Sequence, residues 1–190
     1  FIHNAAFEQA GVNGVYLAWE ISKDDLKATV ENIRRYNMFG INLSMPYKQA
    51  VIPFLDELTP AAQMIGAVNT VVNQNGKLIG YNTDGKGFFM SLPSFVIKGK
   101  KMLILGAGGA ATAIIVQAVL EGADEIFVFT RKTSFERVLQ QMKQIQQAAS
   151  TKISVLPLEQ RELLQEKLNA SALLVNGTSL GMNEKTSPVP

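Results

Sequence analysis

The sequence predicts an α/β protein in two parts, an N-terminal α/β unit followed by a doubly wound parallel sheet. Two observations predict it. Strand-like and helix-like patterns alternate along the chain, the signature of a layered α/β architecture. Near the middle, the apolar run Met102 to Leu105 breaks at Gly106-Ala107-Gly108-Gly109, and a helical pattern starts at once at Ala110. Strand, glycine turn and helix in immediate succession is the context in which G-x-G-x-x-G/A marks a dinucleotide site. Gly106, Gly108 and Ala111 fill its three positions: the tight turn, the close approach of backbone to a pyrophosphate, and the close packing of helix on strand. N–H groups at the new helix start would face the phosphates. The alternative is a glycine turn with no ligand.

The first part reads as follows. Residues 5–10 have a helical pattern that ends at Gly11. Val15 to Ile21 alternates and is rich in β-formers, which predicts a strand. Ser22 and Asp25 have capping-box spacing. Leu26, Val30 and Ile33 then follow at helical intervals, and that helix ends near Asn37 to Gly40. Ile41 to Met45 predicts a second strand, stopped by Pro46, which cannot donate to a ladder. Val51 to Leu55 reads as helical. Thr59-Pro60 opens another helix with proline at a permitted position, closing at Gly66. Val68–Val72 and Leu78–Tyr81 flank Asn73-Gln74-Asn75-Gly76, a hairpin signal. Asn82-Thr83-Asp84-Gly85 leads into a helix ending near Leu92. Pro93-Ser94 and Lys98-Gly99-Lys100 mark a joint, which divides the chain into residues 1–93 and 94–190.

The second part alternates more regularly. Strands are expected at Met102–Leu105, Ile126–Thr130, Ile153–Leu156 and Leu173–Val175, and helices at Ala110–Glu121, Thr133–Ala149 and Glu159–Asn169. Gly122 suits a helix C′ cap, and Thr133 with Glu136 a further capping box. The glutamines at 140, 141, 144, 146 and 147 read as a solvated helix face. Four such strands predict a parallel sheet that usually has six. The chain begins Phe1-Ile2-His3-Asn4 without a methionine and ends in loop composition, Thr186 to Pro190. It therefore reads as a piece of a longer protein, cut at both ends.

Composition narrows the function. Hydrophobic residues make up 47% and charged residues 18%, which fits a globular chain with a sizeable core. A net charge of +2 predicts neither nucleic acid nor an anionic membrane as partner. The absence of cysteine and the single histidine, His3, argue against a metal centre. No apolar run approaches the ~18 residues of a membrane span, and no leader pattern appears, so a cytoplasmic location is expected.

Candidate chemistry lies in turns that end strands, where open α/β sheets place ligands. Lys48 and Asp84 can do acid–base work on a hydroxyl or carbonyl. Ser44 and Asn69 each offer a donor and an acceptor to a polyhydroxy substrate. From spacing alone, Lys48 also reads as a surface lysine and Asp84 as the N-cap of the next helix. His3 and Trp19 read as packing residues, and Asn75 and Asn82 as turn residues.

Taken together, these strings are more specific. His3-Asn4, Asn42-Leu43-Ser44-Met45-Pro46-Tyr47-Lys48, Gly66-Ala67-Val68-Asn69-Thr70, Gly80-Tyr81-Asn82-Thr83-Asp84-Gly85, Gly106-Ala107-Gly108-Gly109-Ala110 and Asn176-Gly177-Thr178-Ser179-Leu180-Gly181-Met182 occur in one order. The chain resembles the shikimate dehydrogenase family along nearly its whole length. The resemblance implies a substrate domain followed by a Rossmann NADP-binding domain, with catalysis in the cleft between. It implies reversible reduction of 3-dehydroshikimate to shikimate, in aromatic amino acid biosynthesis. Lys48 and Asp84 would be the catalytic pair, and Ser44 and Asn69 would join them on the substrate's hydroxyls. Gly106, Ala107, Gly108, Gly109, Ala110, Thr178 and Ser179 would hold the cofactor.

The family's carboxylate-binding serine pair and its late glutamine and tyrosine fall outside this sequence. Ser44 stands where a threonine is common, and Ser44-Met45-Pro46 is similar to the branch that also accepts quinate, with NAD or NADP. A dinucleotide-sensing module without the reaction is the non-enzyme alternative. The residues themselves favour NADP over NAD. An NAD site carries an acidic residue ~20 positions past the glycines, on the ribose 2′-hydroxyl. Here the strand ending at Thr130 runs into Arg131-Lys132-Thr133-Ser134. Arg131 can grip a 2′-phosphate with paired hydrogen bonds, with Thr130 and Lys132 beside it. The oligomeric state is not legible.

Overall fold

The structure is a computed structural model that describes residues 2–181. The loop reading of Thr186 to Pro190 and the final Met182 of the last string lie outside those residues. Two four-stranded sheets organise the chain, one in each part.

In the first part, α1 (Ile2–Gln9) is followed by an extended stretch and then α2 (Leu26–Arg35). Ser22 and Asp25 do bond each other, the Ser22 hydroxyl donating to the Asp25 carboxylate at 2.6 Å and accepting the Asp25 N–H at 3.3 Å. The expected capping box does not form: Asp25 itself precedes the helix, and no side chain caps it. Leu26, Val30 and Ile33 are buried, as their spacing requires. Then come β1 (Gly40–Asn42), the short helix α3 (Tyr47–Ala50), β2 (Glu57–Leu58), α4 (Pro60–Ile65), β3 (Thr70–Gln74), β4 (Lys77–Tyr81) and α5 (Asp84–Met90). The sheet order is β1-β3-β4-β2. β3 and β4 close on a two-residue turn, Asn75-Gly76, and both turn residues have positive φ, as a tight hairpin demands. Thr59 caps α4 by accepting the Ala62 N–H at 3.4 Å.

Three further readings of this part are corrected. Val15 to Ile21 is extended but joins no ladder among the described residues, because a strand needs a partner as well as alternation. The stretch instead faces β1 across a groove of about 690 Å³. Trp19, read as a packing residue, is 60% exposed there, and Val15 is 71% exposed. His3 does pack, with its ring stacked on Tyr16 at 4.1 Å between centroids. Val51 to Leu55 is not an α-helix: Pro53 limits Ile52–Phe54 to a single 3₁₀ turn. The chain then enters β2, which is too short to show in the pattern and pairs parallel with β4.

The second part follows its pattern closely. β5 (Lys101–Leu105), α6 (Gly109–Leu120), β6 (Glu125–Thr130), α7 (Phe135–Gln146), β7 (Lys152–Pro157), α8 (Arg161–Asn169) and β8 (Leu173–Asn176) alternate. The strands are all parallel in the order β7-β6-β5-β8. The order reverses direction at β5, so the crevice between the carboxyl ends of β5 and β8 is the expected ligand position. β6 is buried at all six positions, and α6 buries residues on most of its circumference.

Two details differ. Thr133 makes no capping box with Glu136. Lys132–Ser134 winds into a 3₁₀ turn, and α7 begins after Ser134 with no side-chain cap. Gln141 leaves the solvated glutamine face: its Nε2 donates to the buried Thr112 hydroxyl at 3.1 Å, and its Oε1 is buried.

The apolar core around α6 also takes in Phe89 of α5, with Ala61, Met64, Ile65 and Phe88 packed against it. Helices α4 and α5 of the first part therefore lie directly on α6 of the second.

Candidate active site

Lys48, Asn69 and Asp84 come from three different elements and meet. Two backbone bonds align the first segments: the Val68 N–H donates to the Lys48 carbonyl at 2.7 Å, and the Leu43 N–H to the Asn69 carbonyl at 2.8 Å. Lys48 lies on α3, Asn69 just ahead of β3, and Asp84 is the first residue of α5. The Lys48 Nζ donates to Asp84 Oδ2 at 2.9 Å. Their side chains are 30% and 39% exposed, so the pair is open to a ligand. Asp84 does not cap the helix it begins; the capping position is Thr83, with no side-chain cap bond.

Asn69 is buried and its amide is saturated. Nδ2 donates to Asp84 Oδ1 at 2.7 Å and to the Thr83 hydroxyl at 3.0 Å. Oδ1 accepts the Thr83 N–H and the Thr70 hydroxyl, both at 3.0 Å. Asn82 ties the same turn down, donating to the Ala67 carbonyl and accepting the Asp84 N–H. Both Asp84 oxygens are thus engaged from the protein side, one of them by the charged ammonium of Lys48. Ser44 is exposed on the turn between β1 and α3, and its hydroxyl makes a 3.5 Å bond to the Met45 carbonyl. Thr83 and Thr70 were not singled out from sequence. The Asn-Thr-Asp-Gly string carried Thr83, but its N–H finds Asn69 only through the fold.

The second cluster lies at the carboxyl end of the parallel sheet. Leu105 pairs with Phe129 on one side and Asn176 on the other, so the turns after β5, β6 and β8 stand in a row. Gly106 has φ +86, a conformation that glycine adopts without strain. A Cβ on it would meet Thr178 Cγ2 at 3.0 Å. The Thr178 hydroxyl donates to Asn176 Oδ1 at 2.7 Å, which fixes that loop beside the glycine turn; Ser179 is exposed next to it. Ala111 meets Gly177 closely enough that a Cβ on Gly177 would lie 2.6 Å from the Ala111 Cβ.

Gly108 is the N-cap of α6, and no side chain caps it. A Cβ on Gly108 or Gly109 would meet nothing within 4 Å. The first turn of α6 is therefore an open cradle of N–H groups at a helix N-terminus, with the dipole favouring an anion. That cradle fits the phosphates of a dinucleotide. Ala107 is buried under the turn and Ala110 lies on the first turn of α6. Thr130 ends β6 and is buried, while Arg131 and Lys132 are exposed at the next turn. The Lys132 N–H donates to Glu159 at 3.2 Å. The backbone N–H groups of Glu159 itself and of Lys132 hold that carboxyl below the ordinary glutamate range.

Comparison with known proteins gives the family. Residues 1–71 match a family described as the shikimate dehydrogenase substrate binding domain. A shikimate dehydrogenase (NADP(+)) of Streptococcus sanguinis is 66% identical over 189 residues, covering 100% of this chain and 66% of its own length. One of Streptococcus pneumoniae is 58% identical over 190 residues, covering 100% of this chain and 67% of its own. The chain belongs to the shikimate dehydrogenase family. The crystal structure of the Listeria monocytogenes shikimate 5-dehydrogenase in complex with shikimate and NAD superposes with a TM-score of 0.93 at 41% identity. It covers 100% of this chain and 67% of that one. The chain spans about two thirds of the length of the curated relatives it matches.

Among the described residues, no helix is long and apolar enough to cross a membrane, and no cluster of three His, Cys, Asp or Glu residues could hold a metal.

Proposed function

We propose that the full-length protein is an NADP-dependent shikimate dehydrogenase, reversibly reducing 3-dehydroshikimate to shikimate in aromatic amino acid biosynthesis. The observation that carries this reading is the Lys48–Asp84 pair at 2.9 Å, set at the start of a helix that packs on the helix bearing the open phosphate cradle. Residues 1–93 supply the substrate side and residues 94–190 the nucleotide side.

Gly106, Ala107, Gly108, Gly109 and Ala110 would hold NADPH, with Thr178 and Ser179 beside the turn and Thr130, Arg131 and Lys132 toward its 2′-phosphate, and the bound cofactor would supply the hydride. Lys48 Nζ gives a proton to the carbonyl oxygen as negative charge develops there. In the reverse direction it takes the proton from the hydroxyl. Asp84 fixes the direction of Nζ through Oδ2, and its exposed edge accepts from a neighbouring hydroxyl of the substrate. Asn69, whose amide is taken up within the protein, serves the substrate by holding Asp84, and the exposed Ser44 hydroxyl faces the ring hydroxyls. Because Nζ is partly exposed, water returns the lysine to its starting protonation after each turnover.

Full-length protein should reduce 3-dehydroshikimate with NADPH, and oxidise shikimate with NADP in preference to NAD. No turnover of either substrate would sink the reading, and quinate oxidised as fast as shikimate would replace it with a broader quinate-type specificity.

A further inference from the structure

Gly85 follows Asp84 and is buried in the first turn of α5. A Cβ at this position would lie 2.2 Å from the carbonyl oxygen of Ala113 in α6 and 2.8 Å from the Gln117 Cβ. Its backbone is helical, so conformation does not call for glycine there; the approach of the two helices does. Gly87, two residues on, has nothing within 4 Å of its Cβ position, so the close contact is particular to Gly85. A Cβ replaces an α-hydrogen, so one α-hydrogen of Gly85 points at the Ala113 oxygen, a weak bond typical of helix interfaces. Ala113 stands one turn beyond Gly109, ~6 Å along the axis from the phosphate cradle. The residue next to Asp84 is therefore seated on the same helix, one turn from where the nucleotide's phosphates would lie.

We propose that Gly85 is a positioning residue that sets the spacing between the Lys48–Asp84 pair and a bound nicotinamide by letting α5 lie directly on α6. This rests on the dehydrogenase reading above. Substrate contacts lie on one side of the α5–α6 contact and nucleotide contacts on the other, so each ligand can bind whatever the spacing between the helices. Hydride transfer cannot, because it needs the reacting atoms at ~3–3.5 Å. A methyl group on Gly85 must move from 2.2 Å to the ~3.3 Å of an ordinary C···O contact, parting the helices by about 1 Å. A misplacement of that size costs about 10²-fold in rate.

The test uses Gly85→Ala in the full-length enzyme, with Gly87→Ala as control. In G85A, kcat should fall about 100-fold, while KM for shikimate and the NADPH dissociation constant, read by fluorescence, stay within about threefold of wild type. In G87A, kcat should be unchanged. A G85A kcat near wild type overturns the proposal. So does a loss shared equally by kcat and both affinities, or one that only tracks the folded fraction, since those mark a structural role. If G85A does not fold, Phe88→Ala loosens the same contact without overpacking it. There kcat should fall about tenfold with KM unchanged, and an unchanged kcat overturns the proposal. A wild-type enzyme with no dehydrogenase activity would instead defeat the reading on which this rests.

Discussion

At the residue scale, the site depends on which atoms are already engaged. Lys48 has one carboxylate partner and a half-buried side chain, the arrangement of a group that passes a proton. Lys48→Ala should lower kcat by roughly 10²–10⁴-fold, with NADPH affinity measured by titration unchanged, because Lys48 lies on α3 of the first part and the glycine turn lies in the second. A mutant that turns over normally would remove Lys48 from the mechanism. Asn69 differs: its amide is fully used within the protein, partly on Asp84. Asn69→Ala should therefore lower kcat as well as raise KM for shikimate. Losing a hydrogen bond to a charged group costs about 1.5–3 kcal/mol, or roughly 10–100-fold in kcat/KM. Steady-state kinetics at saturating NADPH would show this, and a change confined to KM would limit Asn69 to direct contact with substrate.

At the element scale, the proposed determinant of cofactor choice is the turn after β6. No acidic side chain ends that strand, and Arg131 and Lys132 are exposed there. The bond from the Lys132 N–H to Glu159 holds the turn against the loop after β7. Arg131→Ala should weaken NADPH by roughly 10–100-fold, the equivalent of about 1.5–3 kcal/mol for a bond between charged groups. NADH, which lacks the phosphate, should lose much less. Titration of both cofactors checks this, and equal losses would reject the assignment.

At the scale of the whole molecule, charge at the far end of the parallel sheet bears on stability. Glu125 is buried at the start of β6, bonded to Lys101 of β5 at 3.1 Å and Lys152 of β7 at 2.8 Å. Burial pushes its carboxyl up, but the bonds to Lys152 and Lys101 outweigh that and hold it below the ordinary glutamate range. A carboxyl lowered in the folded state stabilises the fold at pH values above its unfolded value. That contribution fades as the pH falls through the folded value. Glu125→Gln should thus cost about 1–2 kcal/mol at pH 7, the difference between charged and neutral hydrogen bonds. The gap to wild type should narrow progressively as the pH falls below the unfolded glutamate value of about 4.3. Denaturant unfolding at pH 7 and pH 3.5 would measure it, and a gap independent of pH would reject the role. Asp56 acts in the same direction, lowered by the Leu78 N–H and by Arg34.

What the sequence determined by itself was whatever short-range rules decide. The glycine turn, the Asn75-Gly76 hairpin, the apolar face of α2 and the strands and helices of the parallel sheet each depend on a few adjacent residues, and each is readable. What only the tertiary structure decided depends on a partner distant in the chain. Val15 to Ile21 alternates like a strand yet joins no ladder among the described residues, because pairing belongs to two segments. Gln141 sits in a polar run but turns inward, because Thr112 of another helix offers it a hydroxyl. Lys48 read equally well as a surface lysine until Asp84, 36 positions on, came within bonding distance. Gly85 stands in a string that only leads into a helix; its close approach to the Ala113 carbonyl is something no local pattern could place against it.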